Sequence, residues 1–393
     1  MKVNVRATQY HQEEGYTGAE LRLPASKSEI IDALDRARVP YGSGEYVAIP
    51  SMTTTPTCFI EPLINVACPP SLAELNHLAQ RLEILEPYDQ YILEGIAQHR
   101  PPRSAADLID ATHNTDKYSF YPYISTDKQL GEHAIENDIL PEFSSMSREV
   151  QACLDLSKVG ARLRQYEGGI LTGDGYIVPE SDEWVQMYDE TLAQRAITWD
   201  ERDPIISLEI CKHSDDLESV WLHCPASQED MERVLEAAHA NIFDECIIRR
   251  VQSVITDLEY EIEFDQYISA VNGLASDIKA IGPENYAKYK AAYELEGVGD
   301  LDHARQLAQE LDGYSFIPLS TTAEYGRALL EQSGMDVDLA AKYGFDFDAY
   351  ARSRLNLTDA RFTDYGILMP IQQQELRMEQ ETEQTLEPTI GGM

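Results

Sequence analysis

Carboxylates alternate with apolar residues between Asp257 and Asp265. The acidic residues occupy every odd position of this stretch: Asp257, Glu259, Glu261, Glu263 and Asp265. The alternation predicts a β-strand, because successive strand side chains point to opposite faces. Leu258, Tyr260 and Ile262 would then enter a core, and the carboxylates would line the other face. Residues on one strand face repeat at intervals of about 6.6–6.8 Å. A row of carboxylates on such a face can pair with Lys and Arg of another molecule.

Two predicted helices carry similar acidic rows. One row consists of Glu29, Asp32 and Asp35. The other consists of Glu229, Glu232 and Glu236. Helical residues at these spacings lie about 5–6 Å apart, and like charges so close destabilise a fold. One such row is typical of an ordinary solvated face, but several rows together favour an external use, as sites that bind a basic partner.

The whole chain is acidic, with 69 Asp and Glu against 31 Lys and Arg and a net charge of −38 in 393 residues. This charge disfavours direct binding to nucleic acid or to an anionic membrane surface. DNA carries one negative charge per about 1.7 Å of axis, so 38 charges correspond to about 65 Å of duplex. To a DNA-binding channel, the negative charge of this protein would resemble that of DNA. The 43% hydrophobic content indicates folded cores rather than an acidic disordered chain.

Enzyme and targeting signals are weak. The sequence has no P-loop, H-E-x-x-H or G-x-S-x-G motif, and the glycines of residues 168–175 lack the P-loop lysine. We therefore expect no catalytic residue, cofactor or metal site, although an enzyme that uses carboxylates or a metal stays open because carboxylate pairs leave no reliable sequence trace. The N-terminus has no apolar signal region, and the six cysteines form no C-x-x-C pair. These features predict a cytoplasmic protein with reduced thiols.

The elements that position these residues indicate an α+β fold. Leucines spaced three and four apart predict a helix over 72–85. Ser26 or Ser28 is expected to cap a helix over 27–38, and Ser227 with Asp230 resembles a capping box. The predicted strands, each with a helix after it, are 118–124 with 127–137 and 314–319 with 322–333. Small α/β subdomains are thus expected around a helical middle.

Short segments of the first half recur in the same order in the second. The matched pairs are Leu23-Pro24-Ala25 with Cys224-Pro225-Ala226, Leu75-Asn76 with Val271-Asn272, Tyr118-Ser119-Phe120 with Tyr314-Ser315-Phe316, and Gly175-Tyr176-Ile177 with Gly366-Ile367-Leu368. Their offset falls from 201 to 196 to 191, as small loop deletions would produce. The pattern predicts a tandem duplication. The predicted parts are unit one at 1–180, an acidic connector at 181–203, unit two at 204–371 and a disordered Gln-rich and Glu-rich tail at 372–393.

Several of these segments resemble the ArdA antirestriction proteins. The closest are Ser71–Leu78, Leu154–Arg162 and Gly169–Val178, and unit two fits more loosely at Phe345–Arg352 and Gly366–Leu368. The resemblance implies an elongated, acidic, non-catalytic protein that mimics bent B-form DNA. Such proteins occupy the DNA-binding groove of type I restriction–modification enzymes and need no cofactor.

The chain departs from the family in two respects. It holds two predicted units, whereas a typical member has one and dimerises, so a monomeric pseudo-dimer and a homodimer both stay open. The family's acidic stretch ahead of the helical middle has no acid in the matching region of unit one, from Tyr46 to Phe59, whereas unit two has the 257–265 row. We predict a DNA-mimic inhibitor of a defence enzyme. The alternative is an acidic protein aimed at another basic partner, such as a CRISPR effector or a nucleoid protein.

Overall fold

The computed structural model describes residues 1–10, 16–51, 70–181, 183–197, 203–212, 218–262, 267–319, 321–355 and 360–371. The predicted tail at 372–393 and the carboxylates Glu263 and Asp265 lie outside these residues. The described part combines helices with small three-stranded sheets, so the predicted α+β class is confirmed. In the described part, no helix is long and apolar enough to cross a lipid bilayer.

The first half of the chain begins with two strands, a helix and a third strand. These are β1 (Lys2–Ala7), β2 (Ala19–Arg22), α1 (Lys27–Arg36) and β3 (Tyr46–Pro50). Helices and a second small sheet follow as α2 (Leu72–Ile84), α3 (Pro87–His99), α4 (Ala105–Thr112), β4 (Tyr118–Pro122), α5 (Asp127–Glu136), α6 (Arg148–Gln151), α7 (Leu156–Glu167), β5 (Ile170–Leu171) and β6 (Gly175–Pro179). A further helix, α8 (Glu190–Ile197), lies in the predicted connector.

The second half has a closely similar order of elements. It begins with β7 (Ile206–Cys211), β8 (Val220–Cys224), α9 (Gln228–Ala237), β9 (Ile247–Ser253) and α10 (Leu258–Glu261). It continues with α11 (Ile268–Ile281), α12 (Tyr286–Glu296), α13 (Leu301–Gln309), β10 (Tyr314–Ile317), α14 (Thr322–Gln332), α15 (Val337–Lys342), α16 (Phe347–Leu355), β11 (Arg361–Phe362) and β12 (Ile367–Pro370).

The strand orders of the four sheets form two matching pairs. The first sheet of each half has the order β2-β1-β3 and β8-β7-β9, and the second has β4-β6-β5 and β10-β12-β11. In the second sheets the central strand is antiparallel to both neighbours, with Tyr118 opposite Pro179 in one and Tyr314 opposite Pro370 in the other. The two sheets of the first half therefore have the same strand orders as the two sheets of the second half, and they follow one another in the same order along the chain.

The local signals for the helices are confirmed. Ser26 and Glu29 form a capping box at α1, and Ser227 and Asp230 form one at α9. Each serine hydroxyl accepts the backbone N–H of the third helical residue at 3.2 Å. Such caps satisfy backbone donors that the first turn leaves without a partner. The leucine face of α2 is buried at its first three leucines, as its spacing predicts.

An asparagine ties the strand–helix junction to the helical middle in each half. The Asn76 amide accepts the Ala25 N–H at 2.8 Å and donates to the Ala25 carbonyl at 3.1 Å. Asn272 makes the same pair of bonds to Ala226, at 2.6 and 3.2 Å. Each amide thus satisfies both backbone groups of one residue. The two asparagines come from the matched segments of the sequence.

The chain divides into two compact units that are not continuous stretches of sequence. The first comprises Met1–Asn4, Leu21–Ala25 and Val47–Thr198. The other, which we call the second unit and which differs from the predicted unit two, comprises Val5–Glu20, Ser26–Tyr46 and Trp199–Met393. Helix α1 therefore belongs to the second unit, together with the elements of the C-terminal half.

The strand predicted over 257–265 is wrong for its described part. Residues Leu258–Glu261 form α10, and only Leu258 and Ile262 enter the core. These two residues are four apart, so one helical face buries both. Tyr260 was expected in the core, but its side chain is 77% exposed. In residues 257–262, the alternation of acidic and apolar residues therefore does not reflect a strand period.

Candidate acidic partner-binding surface

Helix α9 presents an exposed acidic row. Glu229, Glu232 and Glu236 are all exposed, as their helical spacing predicts. Arg233 offsets part of this charge, with its guanidinium 3.7 Å from Glu229 and 2.9 Å from Asp230. Because the pairs are exposed to solvent, they contribute little to stability. The row is therefore available to pair with cations of another molecule.

The carboxylates at 257–261 do not form one exposed row. Glu261 is exposed, whereas Asp257 and Glu259 are half-buried. The Glu259 carboxylate accepts the Ser28 hydroxyl at 2.7 Å and the Ser253 N–H at 2.8 Å. Burial raises the pKa of Glu259, and burial with the nearby Asp32 raises that of Asp257. Glu259 thus joins α1 to the end of β9 inside the second unit, and Glu263 and Asp265 lie outside the described residues.

The expected exposed row on α1 is wrong for two of its three members. Glu29 is exposed and closes the capping box. The side chain of Asp35 is only 19% exposed, and Asp32 is 8% exposed as a residue. Asp32 accepts the Arg36 guanidinium at 2.8 Å and the Tyr365 hydroxyl at 2.7 Å. These acids face the interior because cations and donors of the same unit lie there.

A buried lysine holds the two α1 carboxylates. The side chain of Lys290, on α12, is 0% exposed. Its ammonium lies 2.7 Å from Asp35 Oδ2, 3.4 Å from Asp32 Oδ1 and 5.7 Å from the centroid of the Tyr365 ring. Burial raises the pKa of Asp35, and the positive charge of Lys290 opposes that rise. We call Asp32, Asp35, Lys290 and Tyr365 the buried ionic cluster.

Sequence reasoning missed this cluster, although α12 carries a signal for it. Lys290 lies between Tyr289 and Ala291 on a helix whose middle is buried. A lysine in such an apolar run needs an internal partner, because a buried charge is costly unless it is paired. A second buried pair joins Arg38 to Glu324 at 3.0 Å, with the guanidinium over the rings of two tyrosines.

The remaining surface of the C-terminal region is strongly acidic. In the described part of residues 215–369, 18 carboxylates are exposed against eight Lys and Arg. The exposed acids are Glu218, Glu229, Glu232, Glu236, Asp244, Glu261, Glu284, Glu294, Glu296, Asp300, Asp302, Glu310, Asp312, Glu331, Asp336, Asp338, Asp346 and Asp364. The exposed bases are Arg233, Arg249, Arg250, Lys279, Lys342, Arg352, Arg354 and Arg361. Such an excess creates a negative field that attracts basic partners.

The side chains do not suggest a metal centre. Within the residues that the structure describes, His, Cys, Asp and Glu form no group that could hold a metal ion. Asp336 and Asp346 accept backbone N–H groups at the starts of α15 and α16, both at 2.9 Å. What the surface carboxylates can do is accept hydrogen bonds and pair with Lys and Arg.

A family comparison agrees with this reading of the C-terminal region. Residues 215–369 match the model of the antirestriction protein (ArdA) family. No curated protein sequence matches the chain. The matched range contains Glu229, Glu232, Glu236 and Glu261 of the predicted rows, whereas Glu29 lies outside it. The match lies in the second half of the chain, which was expected to fit the family more loosely. It does not include residues 71–178, for which the closer resemblance was expected.

Proposed function

We propose that this protein is a non-catalytic DNA mimic that occupies the DNA-binding groove of a type I restriction–modification enzyme. The observation that carries the proposal is the coincidence of two features in one region. Residues 215–369 match an antirestriction family, and the described part of that region has more than twice as many exposed carboxylates as exposed bases. The resemblance to ArdA supplies the mode of action, and the acidic surface supplies a physical basis for it.

The mechanism is competition with DNA. Carboxylates take the places of phosphates against the Lys and Arg of the groove, with charge-assisted hydrogen bonds. The negative field speeds the encounter, and added salt weakens it by screening. The chain needs no catalytic residue, cofactor or metal for this action, and its place of action is the cytoplasm, where restriction enzymes meet incoming DNA.

The exposed members of the predicted rows are the proposed contacts. They are Glu229, Glu232, Glu236, Glu261 and Glu29, together with Glu263 and Asp265 outside the described residues. Asp32, Asp35 and Glu259 have internal partners, so we assign them to folding. Asp257 is half-buried beside the same cluster and joins them.

We further propose that the chain arose by tandem duplication and acts as a covalent pseudo-dimer. The repeated strand orders and the shared asparagine ties support this proposal. Light scattering of the pure protein tests the pseudo-dimer, since a monomeric mass is expected and a stable dimer would contradict it.

The first test is plating of unmodified phage on cells that carry a type I restriction system. We expect the protein to restore plating on the restricting strain and to change nothing on a matched non-restricting strain. If the folded, abundant protein restores nothing, type I enzymes are not its target. The alternative, an acidic protein aimed at a CRISPR effector or a nucleoid protein, would then be tested by pull-down at two salt concentrations.

A charge variant tests the surface. Glu229→Gln, Glu232→Gln and Glu236→Gln together should weaken competition with duplex DNA for the purified enzyme. The matched control changes Asp302→Asn, Glu310→Gln and Asp312→Asn, which removes the same charge from another exposed part of the same unit. Equal loss in both variants would mean that total charge matters and that α9 is not a contact.

A further inference from the structure

An apolar patch is exposed on the second unit around α15. Its members are Met335, Leu339, Tyr343 and Phe345, which are 57%, 51%, 81% and 37% exposed. Leu339 and Tyr343 are one helical turn apart, because the Tyr343 N–H reaches the Leu339 carbonyl at 3.3 Å. Residues at this spacing lie on one face. We call these four residues the α15 patch.

The backbone around the patch is well defined by hydrogen bonds. Asp336 caps α15 by accepting the Leu339 N–H at 2.9 Å. Gly344 has a φ of +71°, a left-handed conformation that glycine adopts without strain. The chain then turns back, and the Phe345 N–H reaches the Ala340 carbonyl at 3.0 Å.

Phe345 connects the patch to the interior. Its ring centroid lies 5.2 Å from that of Phe347, which is buried, and 5.5 Å from that of Tyr350. The partly exposed Phe345 ring therefore packs against the buried Phe347 ring. Because Phe345 is held in this way, its side chain loses little entropy when a partner covers it. Exposed apolar clusters with polar rims are typical of protein interaction sites.

The charges around the patch indicate what covers it. Between residues 331 and 346, the exposed charged residues are one base, Lys342, and four carboxylates, Glu331, Asp336, Asp338 and Asp346. Two copies of the patch placed face to face would bring these like charges together, which disfavours self-pairing. A basic protein surface with an apolar centre is complementary to both the rim and the middle.

We propose that the α15 patch is an apolar anchor that binds the basic groove of the target enzyme beside the carboxylates. This inference rests on the proposed function and adds an apolar contact to the contacts of the carboxylates. Aromatic and aliphatic anchors in a polar rim carry much of the energy of protein interfaces. Salt screens the carboxylate contacts but not the apolar contact. The patch would thus let the protein hold its target at salt concentrations that weaken a purely electrostatic mimic.

The test compares the full chain with the double variant Leu339→Ala, Tyr343→Ala. The dissociation constant for a purified type I restriction–modification enzyme is measured at three salt concentrations. We expect the variant to bind about 30-fold more weakly at every salt concentration, which is the size of a hot-spot loss, with the same dependence on salt. The matched control is Tyr267→Ala, which truncates a tyrosine that is 70% exposed elsewhere in the same unit.

Each other outcome overturns the inference in a recognisable way. Equal binding by the variant and the control would remove the patch from the interface while leaving the proposed function intact. Failure of the unaltered protein to bind the enzyme would refute the proposed function and this inference with it. A dimeric unaltered protein with a monomeric patch variant would show that the patch pairs two copies. Circular dichroism checks that the variant is folded, as expected for changes at exposed side chains.

Discussion

Replacing Lys290 with methionine should strongly destabilise the second unit. The methionine keeps the apolar stem and about the same volume, so the change mainly removes the charge. Asp35 would lose its partner at 2.7 Å, and Asp32 would keep only Arg36 and the Tyr365 hydroxyl. Two carboxylates would then face each other with little compensation. Removing one partner of a buried ion pair typically costs about 3–5 kcal/mol.

This loss is large beside the whole stability of a domain, which is about 5–15 kcal/mol. We expect Lys290→Met to lower the urea midpoint of the second unit and to increase amide exchange in α1, since the cluster holds that helix. Adding Asp35→Asn to Lys290→Met should restore part of the loss, because a neutral amide needs no buried cation. The control is Lys279→Met on α11, an exposed lysine whose replacement should change stability by less than about 0.5 kcal/mol.

The reasoning would be refuted by a Lys290→Met protein whose free energy of unfolding lies within about 1 kcal/mol of the unaltered protein. That result would mean that the cluster is already weakly charged or hydrated. A double variant that is less stable than Lys290→Met alone would contradict the electrostatic explanation, because the added amide should only relieve repulsion.

Three further predictions concern the same unit. Burial and Asp32 raise the pKa of Asp257, so ionisation of this carboxyl opposes folding. The free energy of unfolding should therefore rise as the pH falls from 7 towards about 4. Asp257→Asn should flatten this rise in the urea midpoints, and an unchanged slope would contradict the assignment. Asn272→Ala should cost about 1–3 kcal/mol in urea unfolding, because both backbone groups of Ala226 lose their partner, and a neutral effect would mean that water replaces the amide. Ser227→Ala should cost about 1 kcal/mol and speed amide exchange in the first turn of α9, whereas unchanged exchange would show that the cap is dispensable.

Much of the local structure could be predicted from the sequence because it depends on near neighbours. The caps of α1 and α9 need only a serine and an acid three residues later. The leucine face of α2 needs only its spacing. The stretch 257–262 shows the limit of such patterns, since an alternating hexamer also places Leu258 and Ile262 four apart. Only packing against the core decides between strand and helix for a segment so short.

The roles of the acidic residues could be predicted only in part. Asp32 and Asp35 follow the same three-residue spacing as a solvated helix face, yet their cation is 255 residues from Asp35 in the chain. No local pattern in α1 indicates that partner. The signal lay in the partner helix α12, where Lys290 is surrounded in the sequence by buried tyrosines and alanines. A lysine in such an apolar run predicts an internal carboxylate partner, but it does not indicate which acid that partner is.

The separation of internal and external acids strengthens the case for an interaction surface. Lys290 and Arg38 are buried, and each is paired with carboxylates inside the second unit. These internal groups are two cations and three carboxylates, Asp32, Asp35 and Glu324, so nearly all of the net charge of −38 lies outside them. Some outer acids, such as Asp336, also cap helices, whereas the side chain of Glu229 is 87% exposed and lies 3.7 Å from the Arg233 guanidinium. Since repulsion among such residues works against folding, their excess on the surface supports the proposed binding of a basic partner.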